Sequence, residues 1–423
     1  MSYQIIKRDG RLVDFDPEKI KNAVLAAFLQ VDGEITDYAK QKADNIANYI
    51  EGYMEGIPNE LTIKDIQDLV EHGLMCGKRK DVATAYIEYR YDRDKARKWN
   101  SQMMRAYKDK LAAKNIENQN ANVDEHSFGG RRGEAHAVID KQDALDNYMS
   151  EKSRNRHNNN EIYIHDLSEY TLGNHNCLTV PFDDLLAKGF DTRQTDIRPA
   201  NSVNTAFQLV AVVFQLQSLM QFGGVSASHL DWTMVPYVRK SFHKHYMDGI
   251  KYILGYSTKG WEVYKDKPID YEGYKQYNSK VYNYAMDMTV KETQQAVEGM
   301  YHNLNTLQSR SGNQLPFTSI NYGTCTLPEG RLVIKALLEG SLKGVGKFHK
   351  TPIFPCGIFQ LGKGINRAPG DPNYDLYQLA IKSTARRLYP NYANIDWSGN
   401  AGYDKNDPRT YFSTMGKRKL QLM

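Results

Sequence analysis

Strand-like and helix-like segments alternate through the last hundred residues, and this alternation constrains the fold more than any other feature of the chain. Phe317-Thr318-Ser319-Ile320-Asn321 has the character of a buried strand, residues 329–342 carry helical periodicity, and Ile353 to Phe359 form a second strand-like run. A helix over 374–388 and a strand at Ala393-Asn394-Ile395 complete the series. Strands joined by helical crossovers pack as a parallel sheet with right-handed connections, so an α/β architecture is expected. Upstream, helical patterns run over 200–222, 229–255 and 275–309. The last places Tyr282, Met286, Val290, Thr293, Val297 and Met300 at steps of three and four.

The chain opens differently. Tyr3 to Lys7 and Arg11 to Phe15 flank Asp9-Gly10, a pair suited to the positive backbone angles of a tight turn, which predicts a β-hairpin. Asp16-Pro17 supplies a cap and a first-turn proline for a helix carrying Ile20, Val24, Ala27 and Phe28. Three more helices are expected over 37–54, 62–77 and 81–98, with Asp65 three residues after Thr62 as in a capping box. Residues 99–135 are rich in Asn, Lys and Gln and end in Phe128-Gly129-Gly130-Arg131-Arg132-Gly133, a composition that suits an irregular linker. The expected organisation is therefore a hairpin with a four-helix cluster over 1–98, a linker over 99–135 and an α/β domain over 136–423. A chain of 423 residues exceeds the size at which a single core usually divides.

The net charge of +5 is small for this length, so it implies neither a nucleic-acid coat nor a polybasic membrane anchor, and among anionic small ligands phosphorylated metabolites fit best. No uninterrupted apolar run reaches the length of a membrane span, and Gln4, Lys7 and Arg8 interrupt any signal-peptide core. A cytoplasmic protein without nucleic-acid or membrane partners is expected. Cys76, Cys177, Cys325 and Cys356 form no CxxC pair, so neither a disulfide framework nor a metal site is expected, and Cys325 and Cys356 read as core residues of apolar strands.

Lys7-Arg8-Asp9-Gly10 places two cations beside a turn whose backbone can approach a phosphate, and Lys19 follows in the first helix. The tetrapeptide alone fits a triphosphate site or a solvated charged turn. Residues 3–98 as a whole resemble an ATP-cone, on Lys7-Arg8-Asp9-Gly10, Asp16-Pro17-Glu18-Lys19-Ile20, Ile66-Gln67-Asp68-Leu69-Val70-Glu71 and Ala83-Thr84-Ala85-Tyr86-Ile87-Glu88-Tyr89-Arg90. The resemblance implies that Ile5, Lys7, Arg8, Asp16 and Lys19 line an ATP or dATP site, with Arg90 or Arg97 adding a phosphate contact. It also implies that ATP favours activity and dATP suppresses it. Gln67 stands where some relatives carry histidine.

Residues 140–416 resemble the anaerobic, glycyl-radical ribonucleoside-triphosphate reductases. The likeness rests on Asn160-Glu161-Ile162-Tyr163-Ile164-His165-Asp166-Leu167, Asn174-His175-Asn176-Cys177-Leu178, Gln221-Phe222-Gly223-Gly224-Val225-Ser226, Val235-Pro236-Tyr237-Val238, Phe354-Pro355 and Gly370-Asp371-Pro372. It implies the first part of a ten-stranded α/β barrel in which a thiyl radical, raised by a glycyl radical, removes the ribose 2′-hydroxyl. Cys177 then matches the barrel cysteine on the opposite ribose face, whereas taken alone a single cysteine reads as packing. Gln314, Phe317, Thr318 and Ser319 resemble a strand facing the nucleotide, with hydroxyls suited to phosphate, and strand packing is the competing account. His165 and His175 can donate to substrate or serve as structural histidines, and Gly223-Gly224 can bind an effector or turn a corner between helices. The implied partners are ribonucleoside triphosphates, a radical-SAM activating enzyme and a second copy of the chain joined through helices within 200–255.

One departure qualifies this picture. Ser413-Thr414-Met415-Gly416 leads, in the family, into the radical cysteine, and here Lys417 follows. Lysine has no thiol hydrogen to yield. Later barrel strands, a four-cysteine zinc site and the glycyl-radical loop are expected to lie beyond a truncated chain that cannot reduce nucleotides alone. The alternatives are a non-catalytic ATP/dATP-binding regulatory fragment and a plain helical interaction protein.

Overall fold

The computed structural model describes residues 3–7, 10–56, 61–112, 123–124, 126–173, 177–310, 312–396, 404, 406–411 and 413–415, with backbone only over 98–102. The chain divides into two compact units, Met1–Ala106 and Tyr107–Met423.

In the first unit, strands β1 (Gln4–Ile6) and β2 (Leu12–Asp14) form the antiparallel hairpin, and Gly10 adopts φ 83° in its turn, a backbone angle that suits glycine. Helix α1 (Pro17–Asp32) starts where the Asp16 carboxylate accepts from Glu18 N at 3.1 Å, and α2 (Asp37–Glu55) follows. A two-residue strand, β3 (Leu61–Thr62), adds in parallel to β1, so the sheet order is β2-β1-β3. Thr62 and Asp65 close the expected capping box at α3 (Ile63–Met75), through Thr62 N to Asp65 at 2.9 Å and Asp65 N to Thr62 Oγ1 at 3.2 Å. The core joins Val24 and Phe28 of α1, Ala43, Ile46 and Ile50 of α2 and Val70 and Leu74 of α3 to Val82 and Tyr86 of α4 (Lys80–Leu111).

Helix α4 corrects the expectation of an irregular linker, as does α5 (Phe128–Asp143). Residues 101–111 are polar, yet Gln102, Met103, Met104, Arg105, Ala106, Lys108 and Lys110 are good helix formers, and neither Gly nor Pro interrupts them. The glycine-rich stretch after Phe128 is helical because Ser127 Oγ caps it, accepting from Gly130 N at 2.9 Å.

The second unit continues with α6 (Glu151–Asn158), β4 (Leu178–Thr179), α7 (Phe182–Lys188), the small hairpin β5 (Phe190–Asp191) and β6 (Asp196–Ile197), and α8 (Val203–Ser218). Then come β7 (Val225–Ala227), α9 (Leu230–Thr233), α10 (Val235–Ile253), α11 (Glu272–Tyr277), α12 (Ser279–Thr306), β8 (Thr318–Tyr322), α13 (Pro328–Lys343), β9 (Cys356–Leu361), α14 (Tyr374–Arg387) and β10 (Asn391–Asn394). The five strands β4-β7-β8-β9-β10 lie in chain order in one wholly parallel sheet, each joined to the next by a crossover containing helix. Helix α12 packs against α8, α10 and α13, and α13 packs against α14. Residues Val203–Met220 are long and apolar enough to cross a bilayer by length and composition, with mean hydropathy 1.3. Half of that window is nevertheless buried, with Phe207, Val210 and Phe214 in the unit's core.

The pairing puts residues in rows across the sheet. Thr179, Ser226, Ser319 and Cys356 are successive register partners, so they share one face. Beyond the C-terminal end of β8, the fully buried Asp231 Oδ2 accepts from Gly323 N, Thr324 N and Cys325 N at 2.9, 3.0 and 2.9 Å. Helix α13 then approaches this loop so closely that a Cβ on Gly330 would lie 2.1 Å from Cys325 Sγ.

Candidate active-site cavity and effector pocket

Within the first unit, the hairpin, α1 and α3 enclose a pocket of about 200 Å³. Ile5, Val13, Ile20, Ile66 and Val70 give it an apolar floor, and Lys7, Asp16 and Lys19 stand at its rim. Lys19 Nζ lies 3.2 Å from the Asp16 carboxylate, with the lysine side chain largely in solvent and so able to swing toward an anion. Buried Tyr86 completes the wall, its phenol pushed up to about 12 by burial, so it stays a neutral hydrogen-bonding group. Four of the expected residues, Ile5, Lys7, Asp16 and Lys19, thus converge, and Arg8 lies outside the described residues. Gln67 also lines the pocket. Arg90 does not. Its guanidinium is held by Asp68 at 2.7 Å and Glu71 at 2.6 Å in a separate cleft, and Arg97 lies 3.3 Å from Asp94.

In the second unit, a cavity of about 290 Å³ opens at the N-terminal ends of the strands. Cys177 precedes β4, Gly224 precedes β7, Phe317 precedes and Thr318 and Ser319 begin β8, and Phe354 precedes and Cys356 begins β9. Ile353, Tyr389 and Met415 complete the lining. Thr318 is 3% exposed, and its Oγ1 has no hydrogen-bond partner among the described residues. A buried hydroxyl left in that condition is destabilising unless a ligand or water engages it.

Cys356 overturns the core reading made from the sequence. It stands on the cavity wall, with Sγ 3.6 Å from Tyr389 Oη, and burial pushes its thiol up. Cys325 fits that reading: it is fully buried, and its thiol is likewise raised by burial. Cys177 and Cys356 flank the cavity from strands three pairings apart, about 14 Å along the sheet at ordinary strand spacing. That exceeds the Cα separation of about 7 Å a disulfide tolerates.

Two expected residues fall elsewhere. His165 is exposed, with Nδ1 2.5 Å from the Asp166 carboxylate, in a polar cleft of about 370 Å³ shared with His157, Tyr163 and Lys141. Gln314 forms an isolated bridge with Arg310 before β8, outside the cavity lining. His175 lies outside the described residues. Sequence reasoning missed Arg310, buried with its guanidinium carbon 3.9 Å from the Phe317 ring centroid and 5.1 Å from that of Phe222. Gly223-Gly224 immediately precedes β7, with the Gln221 amide donating to Gly224 O at 2.8 Å. Among the described residues, no group of three or more His, Cys, Asp or Glu side chains is placed to hold a metal.

Two family models match the chain. The ATP cone domain model matches residues 3–95, and the model for anaerobic ribonucleoside-triphosphate reductase matches residues 119–420. The anaerobic ribonucleoside-triphosphate reductase of Haemophilus influenzae is 32% identical over 399 residues, covering 93% of this chain and 52% of the relative. The corresponding Escherichia coli protein is 30% identical over 94% of this chain and 52% of its own length. The chain therefore spans about half the length of these curated relatives. A crystal structure of the anaerobic ribonucleotide reductase from Thermotoga maritima, with citrate in the active site, aligns with TM-score 0.46 and 14% identity over 74% of this chain and 55% of that one. With the family model covering most of its length, the chain belongs to the anaerobic ribonucleoside-triphosphate reductase family and carries an ATP-cone ahead of its parallel-stranded α/β unit.

Proposed function

We propose that this chain is the effector-sensing and substrate-cradling part of an anaerobic ribonucleoside-triphosphate reductase, in which ATP or dATP occupies the hairpin pocket and a ribonucleoside triphosphate enters the cavity beside Cys177. The observation that carries the reading is the convergence of Lys7, Asp16 and Lys19 on one apolar-floored pocket, cations for phosphates above a surface for a base. In the cavity, Cys177 offers a thiol hydrogen to the ribose, and formate or a thiol reductant would complete the two-electron reduction that 2′-deoxygenation needs. The unpartnered Thr318 hydroxyl and Ser319 offer hydrogen bonds to the nucleotide's oxygens. The glycyl radical would initiate the chemistry, and a radical-SAM enzyme would install it. A homodimer or larger oligomer in the cytoplasm fits the exposed Leu216, Leu219 and Met220 at the end of α8.

ATP or dATP should raise the stability of the Met1–Ala106 unit by about 2.7 kcal/mol at a hundredfold excess over Kd. Lys7→Ala with Lys19→Ala should remove most of that gain, as read by differential scanning calorimetry of the full chain. Absence of any nucleotide-dependent shift would overturn the effector reading of the hairpin pocket.

Turnover by the polypeptide alone is not expected, because Lys417 follows Met415-Gly416 where the family places its radical cysteine. An anaerobic incubation with the activating enzyme, formate or a thiol reductant and ribonucleoside triphosphates should yield no deoxynucleotide. Product formation would show that another residue generates the radical.

A further inference from the structure

Asn321 is fully buried on β8, two residues beyond Ser319 and therefore on the same sheet face as the cavity's serine. Its carboxamide engages both backbone groups of one distant residue: Nδ2 donates to Thr414 O at 2.9 Å, and Thr414 N donates to Oδ1 at 3.1 Å. That is the pairing one strand residue makes with the next, supplied here by a side chain. Nδ2 also lies 3.0 Å from Ala227 O, tying the amide's orientation to β7. Next to Thr414, Met415 is 9% exposed and forms part of the cavity lining, and Tyr411 is 6% exposed.

We infer that Asn321 is a positioning residue that docks the 413–415 segment against the sheet, so that Met415 covers the cavity holding Cys177, Thr318 and Ser319. The inference rests on the nucleotide-cavity reading only for its purpose; the docking itself stands on the hydrogen bonds. An amide is the side chain that does this without a charge, presenting one donor and one acceptor at the spacing of a peptide group. An aspartate would lose the donor and add a buried charge, and an alanine would leave Thr414 N and O unpaired.

The test uses the full chain with Asn321→Ala. Met415 oxidation by dilute hydrogen peroxide and Cys177 alkylation by iodoacetamide are followed by peptide mass spectrometry, without nucleotide. Two hydrogen bonds of ordinary net strength bias docking by about tenfold to a hundredfold, so Met415 should oxidise at least about tenfold faster than in the parent. It should approach the rate of exposed Met220, with Cys177 alkylation accelerated in step. Cys325, fully buried, reports the fold and should stay unlabelled. If Cys325 becomes labelled, Thr414→Pro removes the same N–H from the segment side and leaves β8 intact, and the same acceleration is expected there. Unchanged Met415 oxidation in a variant that keeps Cys325 protected overturns the inference. Protection of Cys177 by ribonucleoside triphosphate in the parent chain is the separate measurement of the nucleotide reading, so either can fail without the other.

Discussion

Asp231→Ala should lower the stability of the Tyr107–Met423 unit by about 3–5 kcal/mol, the range seen when one partner of a buried polar cluster is removed. One carboxylate oxygen gathers three consecutive amides, Gly323 N, Thr324 N and Cys325 N, and the other accepts from Trp232 N at 3.1 Å. Burial pushes the Asp231 carboxyl up, and the amides act against that shift. Alanine would strand three buried donors at once. Asp231→Asn keeps one acceptor oxygen and should fall between. Guanidinium denaturation with constant m-value measures the effect, and a loss below about 1 kcal/mol would mean that the loop finds other acceptors.

Gly330→Ala should also destabilise, against the direction that helix propensity sets. In an exposed helix interior the change gains about 1 kcal/mol. Here the added methyl would sit 2.1 Å from Cys325 Sγ and 2.5 Å from Cys325 Cβ. Overpacking of this kind costs about 1–3 kcal/mol or more, and the contact is short enough to place it at the upper end. Cys325→Gly removes both obstructing atoms, so the double variant should recover most of the loss. The coupling in a double-mutant cycle should therefore be large and favourable, while simple additivity would show that the helix moves aside instead.

Much of this architecture was legible in advance for local reasons. Alternating strand and helix patterns foretold the parallel series from β8 to β10, and Thr62 with Asp65 announced the start of α3. The features that escaped are defined by partners. Strand β3 has two residues and exists because β1 lies beside it, and no periodicity can mark it. Polarity over 99–111 suggested an irregular linker, although the same long side chains favour helix in water. Cys356 looked like a core residue of an apolar strand because its face is fixed by pairing with Ser319, a fact of register and not of composition. Asp231 and Asn321 carry no local signal; each matters through amides or carbonyls about ninety residues away. His165 and Gln314 carried a family likeness, yet both lie apart from the cavity that joins Cys177, Thr318 and Ser319.

The register row of Thr179, Ser226, Ser319 and Cys356, which brings Ser319 and Cys356 to the cavity, belongs to no single segment. Let β8 slip by one position and Ser319 gives way to Thr318 or Ile320; let β7 slip and Ser226 gives way to Val225 or Ala227. The chemistry of that surface is thus stored in how the strands are stepped against one another, and a change at a distant turn could erase it without altering any residue that a ligand touches.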